Sequence, residues 1–393
     1  MPDRGELPLL SAAERTAAES LLSAAWDEPV ELGTAEAVWE RSHVVRLGAR
    51  GGRAAILKRP RRPPRGGEPD REAFGTELAS LEYLGGMPAP VAPRLLGADV
   101  STGILVMEEL PAGRSLADAL LAGDRADATA SMVAYATALG SVHAWSIGRT
   151  SGFERALARY GAGASSRPWY LERIERGRGR FLQVVSALGL PADGAGADIG
   201  EVIRTLADDR YLSFVHGDLC PDNVRLAGGR MRFFDFERSY VGPAALDAAY
   251  LLAPFPSCWC FAELPADVTD LALRVYRAAL EAGGVEAGPQ FDAQMSAVLA
   301  GWIVARAAMI DGALSSDRQW GTTTMRPRLV AWTGRLAAVT ATTGTFPRLR
   351  MVAEGLNTRF RALWPEAVIP AYPALAGSRS ARASVPEGWE PGT

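Results

Sequence analysis

Apolar and polar positions follow two regimes along the chain. Residues 11–26 carry Leu21, Leu22 and Ala25 at helical spacing behind Ser11 and Glu14, a capping-box pair, and predict an amphipathic helix. Residues 37–47 and 54–58 predict strands, from Val44, Val45 and Leu47 in the first and Ile56 and Leu57 in the second, with Gly48–Gly52 as the turn. A loop rich in Pro, Arg and Gly follows over 60–70, then a helix over 71–85 with Phe74, Leu78, Leu81 and Leu84 on one face, then an apolar strand over 103–110. Past Pro111–Gly113 the pattern changes to alanine- and leucine-rich helical segments, near 115–148, 170–188, 198–208, 266–283, 290–313 and 325–343. The expectation is an α+β protein of two lobes. Residues 1–110 form a small β-rich N-terminal lobe and 111–369 a large, mostly helical lobe. Residues 370–393, rich in Pro, Gly, Ser and Arg, form a loosely ordered tail. No internal repeat is visible.

Composition narrows the class. The 393 residues suffice for two or three domains, and 48% hydrophobic with 22% charged is an ordinary globular balance. The net charge of −3 argues against a nucleic-acid binder, which carries a basic excess. Cys220, Cys258 and Cys260 frame no zinc pattern and read as reduced thiols of a cytoplasmic protein. The charged N-terminus lacks the apolar core of a signal peptide. The longest apolar stretch, Met295 to Ile310, is broken by Arg306 and too short to span a bilayer, so it reads as a core helix and no membrane partner is expected.

Of the 42 basic residues only Lys58 is lysine, and it ends the strand over 54–58. Codon bias accounts for the general loss of lysine but not for this position. The densest chemistry lies in Phe214-Val215-His216-Gly217-Asp218-Leu219-Cys220-Pro221-Asp222-Asn223-Val224. Twelve residues past Asn223 comes Asp235, in Arg232-Phe233-Phe234-Asp235-Phe236-Glu237. This is an Asp, an Asn five residues on, a hairpin and a second Asp. Phosphoryl transfer from a nucleotide needs one carboxylate to orient the attacking hydroxyl and take its proton. It also needs oxygen ligands, an amide and a second carboxylate, to hold Mg²⁺ on the phosphates.

The string resembles the catalytic loop of the protein-kinase-like fold, with His-Gly-Asp for His-Arg-Asp and Asp-Phe-Glu for Asp-Phe-Gly. The His-Gly-Asp form is similar to the aminoglycoside phosphotransferase and choline kinase group of small-molecule kinases, over about residues 33–345. The resemblance implies Asp218 as catalytic base, Asn223 and Asp235 as Mg²⁺ ligands, and His216 as a brace of the loop. It makes Lys58 the group that offsets the phosphate charge, with Glu77 as its partner and Glu72 and Glu82 as alternatives. The strand over Ile104–Met107 resembles the hinge, whose backbone at Glu108 and Leu110 reads the adenine. Asp247 resembles the residue that holds the catalytic loop by its backbone. Asp222 reads as a turn residue, Glu237 as either solvated or beside the metal, and Cys220 as a small packing residue.

One departure concerns the phosphate-covering loop near Glu40-Arg41-Ser42-His43, which contains no glycine. Ser42 there resembles the Ser of the Ser-Asn pair common in the group and is placed on a phosphate oxygen. Gly217 in place of arginine, and only eleven residues between Asp235 and Asp247, leave no long activation loop and point away from a protein kinase. The implied activity is transfer from ATP or GTP, with Mg²⁺, to a hydroxyl of a small molecule. An aminoglycoside or other antibiotic is the first expectation, in resistance or self-protection. A primary metabolite such as choline, homoserine or a sugar is the alternative, and a non-catalytic pseudokinase-like binding module a second one. Cationic acceptors need carboxylates in the helical lobe, where Glu263, Asp267, Asp270, Asp311 and Asp317 are the candidates. Trp302, Trp320 and Trp332 are candidates to line a pocket.

Overall fold

The computed structural model describes residues 9–38, 41–62, 67–163, 168–253, 255 and 257–376, with only the backbone of Arg41 and Ser42. The chain divides into two compact units. One takes Met1–Gly113, Ser151–Ser166 and Arg232–Ser239; the other takes Arg114–Thr150, Arg167–Met231 and Tyr240–Thr393.

The first unit opens with α1 (Ala12–Trp26). The Ser11 hydroxyl accepts from the Glu14 N–H at 3.2 Å, and the Glu14 carboxylate accepts from the Ser11 N–H at 2.8 Å. Strands β1 (Leu32–Val38), β2 (Arg41–Ala49) and β3 (Ala54–Lys58) follow. The single strand expected over 37–47 is therefore parts of two. β1, Leu-Gly-Thr-Ala-Glu-Ala-Val, has weak strand propensity and exists through its pairing with β2. Helix α2 (Arg71–Leu84), capped by the Asp70 carboxylate, precedes β4 (Leu95–Asp99) and β5 (Ile104–Glu108). The sheet is antiparallel with order β1-β2-β3-β5-β4. Alternation turns Val45, Leu47, Ala55, Leu57, Ile104 and Val106 into one core with Ala18 and Leu22 of α1. Lys58 follows Leu57, so the same alternation points it to the opposite face.

Strand β6 (Gly113–Ser115) leads to α3 (Leu116–Ala122) and α4 (Arg125–Ser146), so the helix expected over 115–148 is two. Gly123 and Asp124 divide them, and the Asp124 carboxylate caps α4. The chain returns to the first unit for α5 (Thr150–Arg159). The second unit resumes with α6 (Trp169–Ala187), α7 (Ala195–Leu206) and β7 (Leu212–Val215). Strands β8 (Val224–Ala227) and β9 (Arg230–Phe233) are joined by Gly228 and Gly229, with φ of 58° and 75°. Two successive left-handed residues make the tight turn that suits strand twist. β10 (Tyr240–Pro243) pairs antiparallel with β7, Tyr240 opposite Val215, and leads into α8 (Ala245–Ala248).

Helices α9 (Ala266–Ala282), α10 (Pro289–Ala305) and α11 (Ala307–Ser315) come next, then the short β11 (Gln319–Trp320) and β12 (Thr323–Thr324), then α12 (Met325–Thr343) and α13 (Pro347–Leu363). The segment expected as one helix over 290–313 bends by 51° at Arg306. Among the described residues no single helix is long and apolar enough to cross a membrane. The segment expected as a loose tail begins tied down. Tyr372 is fully buried, and the Pro370 carbonyl and Tyr372 N–H bond to the backbone of Glu263 at 3.0 and 3.1 Å. Residues 377–393 lie outside the described residues.

Candidate active site

In the first unit, Lys58 Nζ donates to Glu77 Oε1 at 2.9 Å and to Asp235 Oδ1 at 2.8 Å. Glu77 comes from α2 and is buried; Lys58 ends β3; Asp235 lies two residues past β9. Burial alone would lower the Lys58 ammonium, but Asp235 and Glu77 outweigh it and raise it above its ordinary value. Burial pushes Glu77 up to about 7, Lys58 opposing and Asp235 and Glu237 adding to the rise. Glu237 is also raised by burial and by Asp235. Asp235 has φ 69°, the left-handed region an L-residue rarely adopts, so its carboxylate is aimed by a strained backbone.

The two alternatives to Glu77 are elsewhere. Glu82 accepts from Arg159 and the Tyr160 hydroxyl at 2.5 Å each, and Glu72 is exposed in the first turn of α2. Glu108 ends β5; its N–H donates to the Arg94 carbonyl at 2.9 Å and its carboxylate pairs with Arg232. Leu110 follows two residues on. Ser42 lies in β2, with its side chain outside the described residues, as is all of Glu40.

In the second unit the loop that carries His216, Gly217 and Asp218 hangs from Asp247 in α8. One carboxylate oxygen accepts from the His216 N–H at 2.6 Å, the other from the Gly217 N–H at 3.2 Å. His216 Nδ1 accepts from the Asp218 N–H at 3.3 Å, and Asn223 Nδ2 donates to the Asp218 carbonyl at 2.9 Å. Gly217 has φ 77°, so glycine is the residue that turns the chain here without strain. Sequence reasoning missed the layer behind Asp247. His143 Nε2 stands 3.6 Å from its carboxylate, and His143 Nδ1 meets the buried Tyr276 hydroxyl at 2.7 Å. Neither residue belongs to a motif; their contribution depends on helices α4 and α9, distant in sequence. The Asp222 carboxylate accepts from Trp259 Nε1 at 3.1 Å.

The reading of three reduced thiols is corrected. Cys220, two residues past Asp218, and Cys258 form a disulfide, their Cα atoms 5.5 Å apart; Cys260 is free and buried. The sequence separation of 38 residues hid a pairing that the fold creates. Cys220 is thus a cross-link and not a packing residue.

Asn223 and Asp235 suit Mg²⁺ in donor chemistry, since a hard cation takes carbonyl and carboxylate oxygen. The bond from Asn223 Nδ2 to the Asp218 carbonyl fixes which end of that amide remains as acceptor.

A β-sheet unit with a buried lysine–glutamate pair, and a helical unit carrying an Asp/Asn loop and hairpin, define a protein-kinase-like fold. The profile of the phosphotransferase enzyme family matches residues 34–287, and the chain belongs to that family. It is a phosphotransferase acting on hydroxyl groups of small molecules. The aminoglycoside phosphotransferase of Alicyclobacillus acidocaldarius is similar in fold, with a TM-score of 0.50 at 14% identity over 92% of this chain and 99% of that one. The macrolide 2'-phosphotransferase of Brachybacterium faecium gives 0.44 at 20% identity, over 76% and 94%. The choline kinase of Streptococcus pneumoniae gives 0.42 at 13% identity, over 85% and 99%. No curated protein matches.

Proposed function

We propose that the protein transfers the γ-phosphoryl group of ATP or GTP directly to a hydroxyl of a small metabolite or natural product. The observation that carries this is the sole lysine, its Nζ held at 2.9 and 2.8 Å between Glu77 and Asp235. Lys58 offsets charge on the phosphates and Glu77 positions it. Asp218 orients the acceptor hydroxyl. A bond forms from the acceptor oxygen to Pγ, the bond from Pγ to the bridging oxygen breaks, and the proton passes to the Asp218 carboxylate. Asn223 and Asp235 would hold Mg²⁺, which when bound neutralises phosphate charge. Asp247 keeps the loop in register from behind.

Three of the five carboxylates expected to serve a cationic acceptor are already engaged, which favours an uncharged or anionic metabolite over a polycationic aminoglycoside. Asp311 pairs with Arg180 and Asp267 with Arg125, both at 2.6 Å, and Asp317 accepts from the Arg326 N–H at 3.0 Å. These carboxylates are already occupied by arginine or backbone.

The test is ADP release from Mg·ATP and Mg·GTP over a panel of acceptors, with Asp218→Asn as control. Acceptor-dependent release should fall about 10²- to 10⁴-fold in the variant, with nucleotide binding retained. Full activity in Asp218→Asn removes it as the base. Nucleotide binding without release for any acceptor returns the binding-module reading.

A further inference from the structure

The helical unit holds a cavity of about 90 Å³ against the catalytic loop. Gly217 lines it, and the negative charge of Asp218 reaches the phenol of Tyr250 in its wall. Aromatic rings make up much of that wall. Trp169 meets Tyr240 edge-on at 5.3 Å between centroids, and Tyr250 meets Trp302 edge-on at 5.2 Å. The rings brace one another and offer a rigid apolar seat. The volume is far below the roughly 300–1,000 Å³ of drug-sized sites, so it takes a small acceptor or one end of a larger one.

Two cations line this cavity, Arg306 and Arg173. Arg306 lines it from the 51° break between α10 and α11, where the helix ladder is interrupted. Its guanidinium touches the Trp302 carbonyl at 3.5 Å and pairs with no carboxylate among the described residues. Burial lowers the Arg306 pKa, the Tyr250 phenol opposes, and Arg173 pushes it down further. Arg173, the second cation of the wall, lies 5.5 Å from the Trp169 ring centre. The carboxylate in the wall, Asp247, has both oxygens on the backbone N–H groups of His216 and Gly217. A half-buried cation that no carboxylate pairs with carries a desolvation cost, and an arriving anion offsets it.

We propose that the acceptor is a small hydroxylated anion, its charged group bound by Arg306 and Arg173 and its hydroxyl presented to the Gly217–Asp218 turn. This rests on the phosphotransferase reading and names its substrate class. Arginine forks suit carboxylate and phosphate alike. The aromatic wall then holds the carbon body, and a polycation is repelled.

The experiment uses two matched series: glycerol, glycerate and glycerol 3-phosphate, and glucose, glucuronate and glucose 6-phosphate, with choline and kanamycin as cations. Binding to the full-length protein is measured by calorimetry and turnover by ADP release, in the wild type, Arg306→Gln and Arg173→Gln. Arg173 is exposed, so its variant tests the idea even if Arg306→Gln fails to fold. At least one anion should bind about tenfold or more tighter than its uncharged partner, and lose that margin in either variant. The carboxylate and phosphate arms tell which anion is preferred. Equal or tighter binding of the neutral or cationic members, a margin that survives both substitutions, or no arginine-dependent binding of any anion overturns the proposal. Asp218-dependent turnover of choline or kanamycin keeps the kinase and overturns the anion. Arginine-dependent anion binding without ADP release keeps the anion site and overturns the kinase.

Discussion

At the scale of single residues, Glu77 carries the clearest pH signature. Burial raises it to about 7, from the model-peptide value of 4.5 that the unfolded chain retains. Between those values the folded state holds a proton that the unfolded state has released. Its contribution to stability is therefore fully present below about 4.5 and is lost as pH rises through 7. The expected slope is at most about 1.4 kcal/mol per pH unit. Urea midpoints from pH 5 to 8 should show wild-type stability falling relative to Glu77→Gln. A wild type that instead gains on the variant as pH rises means the ion pair with Lys58 dominates and Glu77 is ionised throughout. Lys58, Asp218, Asn223 and Asp235 stand out in the sequence because residue type, order and spacing suit the chemistry proposed for them. Spacing favours Glu77 over Glu72 and Glu82, and the ion pairs place Glu77 on Lys58 and Glu82 on Arg159. His143 and Tyr276 were illegible, since a buried polar pair has no local pattern.

Elements show the same division. α1 follows from its capping box, and α2, β3, β5 and α12 from runs of apolar positions. α5, α13 and β4 were missed. α5 is ten residues long, and β4, Leu-Leu-Gly-Ala-Asp, is half-buried at every position and so shows no alternation. The helices expected over 115–148 and 290–313 each split where one residue, Asp124 or Arg306, has a competing role. The disulfide belongs to this scale because it ties the loop between β7 and β8 to a segment 38 residues away. Closing a loop of that size should stabilise the protein by about 3–4 kcal/mol. Denaturant unfolding with and without dithiothreitol, beside Cys258→Ser, measures it. A reduced protein as stable as the oxidised one, or three free thiols instead of one by mass spectrometry, removes the bridge from solution.

For the whole molecule, the fold class was readable from the change in patterning at Pro111, whereas the contribution of Ser151–Ser166 and Arg232–Ser239 to the first unit was not. Chain segments return to a unit by tertiary packing, which leaves no compositional mark. Ligand linkage gives the global prediction. Mg·ATP at about 100 times its dissociation constant should raise the unfolding free energy by about 2.7 kcal/mol. Asp235→Ala should lose most of that gain, and an unchanged thermal shift would take Asp235 out of metal binding.

The ion-paired lysine has one more consequence. Because every other basic residue is arginine, an acylating reagent meets a single ε-amine in the whole chain, at Lys58, and finds it protonated and clasped by two carboxylates. The rate at which that amine is acylated therefore reports how often the clasp opens, residue by residue and without background from other side chains. Covalent chemistry at one atom becomes a readout of local breathing in the unit that carries the five-stranded sheet.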